Sequence, residues 1–176
     1  MGEARMECSK HGLLTEPSAF DFFQEKIITA VPFLAALVAL YRYAGSPVWL
    51  FLYLAIIAGH MAHILLKRCP HCAYYKRDTK TLECLWWRWV PKFRQPKPMP
   101  PPKYFGMYTM AALLLITVYP IYWLTFDPAL LAIYVLSWGV LFLSIQTQAC
   151  GRCIDFECRY NGVPQDVRDS YSSNND

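Results

Sequence analysis

Four stretches of this chain, 27–41, 48–66, 104–126 and 128–151, contain no Asp, Glu, Lys or Arg. A helix crossing a hydrocarbon core of about 30 Å needs roughly 20 apolar residues, with about 17 as the lower end. The last three stretches meet that length. The first reaches it by continuing through Arg42, Tyr43 and Ala44, because an arginine at a helix end can snorkel to the headgroups. These segments are apolar around their whole circumference. A soluble all-α bundle would instead need helices with one apolar stripe and a polar outer face. The spacing therefore predicts an all-α polytopic integral membrane protein, a four-transmembrane-helix bundle. Pro32 and Pro120 are expected to kink or end their helices locally.

Orientation follows from the connections. Between the second and third stretches stand Lys67, Arg68, Lys76, Arg77, Lys80, Arg88, Lys92, Arg94 and Lys97 against only Asp78 and Glu83. That cation excess marks a cytoplasmic loop. The other two connections, RYAGSP at 42–47 and TFDP at 125–128, are tight and nearly uncharged, so they should face outward. The residues before the first stretch are mixed in charge and have neither an apolar run nor a small-residue cleavage site, so the N-terminus should stay on the side of synthesis. Both termini are thus expected in the cytoplasm of a multi-pass inner-membrane protein.

This divides the chain into five parts. Residues 1–26 form an N-terminal cytoplasmic segment, in which Pro17 and the FDFF run suggest a short interfacial helix. Residues 27–66 form a first transmembrane hairpin and 104–149 a second. Between them, 67–103 is a basic, aromatic and Pro-rich loop, and 150–176 is a cytoplasmic tail. The formal net charge of +4 comes mostly from the loop. It reports orientation and attraction to anionic lipid, not nucleic-acid binding. LWWRWVPKF within the loop has the composition of an interfacial belt, and QPKPMPPPK after it that of a stiff extended spacer.

Six of the seven cysteines fall in two sets, Cys69, Cys72 and Cys84 after the second apolar stretch, and Cys150, Cys153 and Cys158 at the end of the fourth. In the expected topology both sets lie on the cytoplasmic face, so they can meet in a cysteine-rich cap. Each contains a C-x-x-C, whose spacing lets one turn present two sulfurs to one ion at about 2.3 Å for zinc, and neither set completes four ligands alone. Six thiolates allow two ions sharing sulfurs, one four-thiolate ion with two thiols left over, or an iron–sulfur cluster. Cytosolic thiols are kept reduced, which favours a metal, zinc foremost, or redox chemistry over structural disulfides. Gly151 should give the second turn backbone freedom and Pro70 stiffen the first. Arg68, Lys76, Arg77, Arg152 and Arg159 would offset thiolate charge. Cys8 lies outside both sets and reads as a free thiol, although with His11 it could supply extra ligands.

His60 and His63 lie one turn apart on the second helix, about two turns before Cys69. They suit interhelical hydrogen bonding, with Gln146 and Gln148 as candidate partners, or auxiliary metal ligation, or contact with a quinone head. No P-loop, G-x-S-x-G or H-E-x-x-H pattern occurs, so hydrolase and kinase chemistry has no support.

CPHC resembles the active-site tetrapeptide of thioredoxin-like oxidoreductases of the periplasmic oxidant type, which carry it at a helix N-terminus. Here it follows a helix C-terminus, where the dipole is negative. More of the chain, from CPHCAYY through Cys84, Val90–Pro91–Lys92 and the PKPM at 96–99 to C-x-x-C-x-x-F-x-C-x-x-N-x-V-P at 150–164, resembles an uncharacterised group of small prokaryotic four-helix membrane proteins. Cys150 to Cys158, Phe156, Asn161 and Pro164 carry the likeness, and Ala73 and Lys97 depart from the Pro and Gly expected there. The resemblance implies the same layout and cysteine cap, and no activity. On these grounds the chain is expected to be a membrane scaffold or assembly partner of another membrane protein, with a thiolate metal site and no nucleic-acid partner. The alternative is a membrane redox protein, an iron–sulfur or thiol–disulfide relay linked to quinone.

Overall fold

In the computed structural model, residues 12–14, 17–97, 102–156, 158 and 160–173 are described. Cys8, His11, Arg159 and part of the proline spacer lie outside them.

The first helix, α1 (Ala19–Tyr43), opens on a capping box in which the Ser18 hydroxyl accepts the Asp21 amide while the Asp21 carboxylate accepts the Ser18 amide. This start sets the helix eight residues before the apolar stretch. FDFF and the Glu25–Lys26 pair belong to this same rod, not to a separate interfacial helix. Pro32 is accommodated inside α1 without ending it. Gly45, at φ +66°, turns the chain, and Ser46 then caps α2 (Pro47–His63), with Pro47 in the first turn where its missing N–H costs nothing.

After the basic loop come α3 (Lys103–Val118) and the short α4 (Ile121–Leu124), with Pro120 at the break as its lost amide requires. Asp127 does more than turn the chain, because its carboxylate accepts the amides of Ala129 and Leu130 and caps α5 (Pro128–Ser144). A last helix, α6 (Gln165–Ser173), lies near the C-terminus. Within the loop, β1 (Thr81–Glu83) and β2 (Arg88–Pro91) pair antiparallel around a bulge. Trp89 takes φ +64°, a strained value for a bulky residue, and is held there by an edge contact with Phe22 and by the Arg88 guanidinium over its ring.

Among the described residues, four helical runs are long and apolar enough to cross a membrane: Ala19–Tyr43, Pro47–His71, Tyr104–Leu124 and Pro128–Cys150. Their shared interior is a cluster of Ala35, Ala36, Ala39, Leu40, Tyr53, Ile116, Leu124 and Tyr134. The alanines of α1 leave room for close helix approach, the usual device where lipid gives no hydrophobic drive for association. Among the described elements the α1–α5 contact is the most extensive, and α2 packs on α3. The two hairpins therefore meet along two direct seams. Outward, residues such as Leu136, Phe142 and Leu143 on α5 are exposed, a belt suited to lipid.

Candidate metal centre

Both cysteine sets begin at the same local feature. After His63 the α-helix widens into a π-turn, Ile64–Arg68, and Cys69 follows at once. After Ser144 the same widening occurs over Ile145–Cys150. Such turns concentrate at functional sites because they re-aim the residues that follow. Cys69 opens a 3-10 turn through His71, so CPHC continues a helix C-terminal end instead of starting a helix. Cys84 follows β1 directly.

Gly151 is needed for space, not for unusual dihedrals. Its φ is an ordinary −69°, but a Cβ there would stand 2.9 Å from the Thr147 carbonyl oxygen and 3.0 Å from that of Gln146. The Gly162 amide donates to the Cys150 carbonyl at 2.9 Å, folding the tail back over the turn.

The two cysteine loops lie side by side. The Ala73 amide, next to Cys72, donates to the Asp155 carboxylate at 3.4 Å, two residues beyond Cys153. The Tyr74 hydroxyl donates to the Leu14 carbonyl, and the Leu14 amide donates to the Arg152 carbonyl at 2.6 Å, so residues near the N-terminus clasp both loops. Asn161 braces the second loop: its Nδ2 donates to the carbonyls of Cys153 (2.8 Å) and Asp155 (2.9 Å), and its Oδ1 accepts the Val163 amide (2.9 Å). Behind the first loop, the Tyr75 hydroxyl both donates to the Arg94 carbonyl and accepts its amide, and the Lys97 amide donates to the Pro70 carbonyl.

All six thiols are free and partly buried. Backbone amides point at the sulfurs: Trp87 N–H donates to Cys84 Sγ at 3.2 Å and Asp155 N–H to Cys153 Sγ at 3.4 Å. The Tyr74 amide favours the thiolate of Cys72 in the same way. Burial outweighs these bonds. It pushes the Cys72 thiol up, aided by the Asp155 charge and then by Cys153 and Cys84, and pushes Cys84 up against the amides of Trp87 and Trp86. Cys153 rises to about 11, chiefly by burial, against the Asp155 amide. A bound divalent cation would invert this balance and deprotonate the thiols outright.

Among the described residues, however, no group of three or more Cys, His, Asp or Glu side chains stands at metal-holding separations. The fold brings the two sets into adjoining loops without drawing the six sulfurs around one point.

The histidines take a different place. His60 is buried with no partner for Nδ1, and His63, whose Nε2 also lacks one among the described residues, packs its ring 4.1 Å from Tyr108 and 5.7 Å from Phe105. Gln148 accepts from Arg152 at 3.4 Å, not from a histidine. Three residues escaped sequence reasoning. His71, inside CPHC, is buried and meets the Phe105 ring. Its flanking cysteines were the available signal. Asp155 is buried between the loops, two residues after Cys153. Glu25 is buried at the mouth of the bundle, and its neighbouring lysine made it read as part of a soluble segment.

Compared with protein-family models, curated proteins and solved structures, the chain matches none.

Proposed function

We propose that the protein is an integral membrane scaffold whose cytoplasmic cysteine loops close around a thiolate-bound metal, with zinc the best match. The observation that carries this reading is the paired arrangement of the loops. Two C-x-x-C turns follow matching π-turns, adjoin through Ala73 and Asp155, and contain sulfurs toward which backbone amides already point. Amides directed at sulfur stabilise thiolate and reduce the reorganisation that a metal demands. Metal binding would supply what burial opposes, the deprotonated sulfur, and would draw the loops the remaining distance into a shared tetrahedral set. The cation-rich connection supports a cytoplasmic position for this face and both termini, with the tight turns at Gly45 and Asp127 outside. A site of this kind orders a docking platform for a membrane-protein partner.

A second reading draws on the histidine wall. The buried His60 and His63 nitrogens, with His63 against Phe105 and Tyr108, would suit a flat quinone ring, and an iron–sulfur cluster or a thiol–disulfide pair in the cysteine loops would then serve as a relay. Burial that keeps thiols protonated works against the thiol–disulfide form, whose attacking sulfur must be a thiolate.

Purification without chelators, followed by elemental analysis and an absorption spectrum, separates the readings. The scaffold reading expects a colourless protein with stoichiometric zinc. Visible charge-transfer bands with bound iron would favour the relay, and a metal-free, fully folded protein would refute the metal site.

A further inference from the structure

The exposed face of α1 continues past the end of its apolar stretch. Phe20, Phe23, Ile27, Leu34 and Tyr41 are all exposed and recur three, four and seven residues apart, so they form one stripe along the helix. At 1.5 Å per residue this 25-residue rod is about 37 Å long, against about 30 Å of hydrocarbon. The excess falls in its polar first turns, which sets Phe20 and Phe23 at headgroup level when α1 spans a bilayer.

The β1–β2 hairpin packs at that same level. The Phe22 ring meets Phe23 at 5.6 Å and Trp89 at 5.5 Å. The Lys26 ammonium lies over the rings of Phe22, Trp86 and Trp87 at 5.3, 5.5 and 5.5 Å, and Arg88 donates to the Pro17 carbonyl at 2.5 Å. Trp86 and Trp87 are half-buried, but Trp89 is 57 % exposed while its backbone holds φ +64°. A bulky residue pays conformational free energy for that φ, and here it gains little burial in return. The Arg88 guanidinium stands 5.0 Å from the centre of the Trp89 ring. An indole beside a guanidinium that keeps further N–H donors suits the headgroup layer, where amphipathic rings settle and phosphates accept.

We propose that the hairpin is a membrane-surface anchor: Trp89, with Phe20 and Phe23, enters the headgroup layer of the leaflet at this end of α1, and Arg88 pairs with lipid phosphate. Continuity with the outward stripe of α1 and the positive charge beside the ring both favour the bilayer over a protein as occupant. Docking also fixes Cys84 against the bilayer, since the Trp87 amide in the same turn donates to its sulfur at 3.2 Å. The proposal rests on the membrane reading of the helices and is independent of any metal.

The test uses the full chain labelled with 5-fluorotryptophan in nanodiscs of phosphatidylcholine and phosphatidylglycerol. Of the resonances from six tryptophans, the one missing in Trp89→Phe belongs to Trp89. If that variant fails to fold, Trp89→Gly supplies the assignment, because glycine accepts a positive φ without strain. A spin label on lipid near the headgroup should broaden the Trp89 resonance beyond detection, while a water-soluble gadolinium chelate leaves it visible. Arg88→Gln should reduce the broadening, and an unchanged effect would overturn the phosphate contact. Broadening of Trp89 by the aqueous chelate alone, or by neither agent as when a second copy or another protein covers it, would overturn the anchor. The other five resonances separate this from failure of the membrane reading: if shallow and deep lipid labels leave all of them untouched, the helices are not in the bilayer and both readings fall.

Discussion

Asn161 shows how one side chain can set a loop. Its amide group donates to two carbonyls flanking the Cys153 turn and accepts the Val163 amide, and Arg168 donates to the carbonyls of Asn161 and Val163 from α6. A net contribution of about 1 kcal/mol per bond leads to an expected loss of about 1 to 3 kcal/mol in Asn161→Ala. Asn161→Asp should lose at least as much, because it retains the acceptor for Val163 but sets a carboxylate oxygen against the carbonyls of Cys153 and Asp155. Thermal melts of the two variants, with zinc competition against a chromophoric chelator, provide the check. Asn161 was visible in the sequence as a motif position, but its role was not, since hydrogen bonds to carbonyls at Cys153 and Asp155 depend on how the tail folds back. Glu25 was hidden for another reason. A charge next to Lys26 ordinarily marks the end of a membrane segment, and only the partner on α5, Ser144, distant in sequence, shows it to be interior.

At the scale of elements, the helices were legible because composition dominates them. Each apolar stretch became a helix, and Pro120 broke the third where expected. The start of α1 was missed, since the Ser18–Asp21 box outweighs the polar composition of 18–26 and carries the helix back to Ala19. The π-turns left no trace in hydropathy, because Ile64–Arg68 and Ile145–Cys150 differ from α-helix by hydrogen-bond register alone. Gly151 tests their importance. A methyl group at Gly151 would collide with backbone carbonyls at 2.9 and 3.0 Å, whereas one at Gly162 would meet Gly151 at an ordinary 3.6 Å. Gly151→Ala is accordingly expected to shift the second cysteine turn and weaken metal retention at least tenfold, about 1.4 kcal/mol, while Gly162→Ala stays near wild type. Parallel zinc titrations would show the contrast, and equal behaviour would mean that the close approach at Gly151 has no bearing on the site.

For the whole molecule, the cation-rich loop and the tight turns fix the proposed orientation. An impermeant maleimide applied to intact cells is expected to label an Ala44→Cys variant and to spare Cys69 and Cys150 until the cells are opened. Labelling of either native thiol from outside would reverse the topology. Two hairpins tied only by a long loop need helix packing, polar contacts or a metal to hold them together, and the α1–α5 and α2–α3 contacts already join them. Chelation is therefore expected to release the cysteine loops, raising thiol accessibility in both sets, while helix content and hydrodynamic size in detergent persist. Circular dichroism and size-exclusion chromatography before and after chelation would register this. Separation of the hairpins would assign the clasp to the metal after all.

The central claim is that the two cysteine sets share one metal, each set being incomplete alone. Metal content of purified Cys69→Ser and Cys150→Ser, measured beside wild type, addresses it directly. Stoichiometric zinc in wild type and its loss from both variants is the expected result. Full retention in either variant would contradict a shared site.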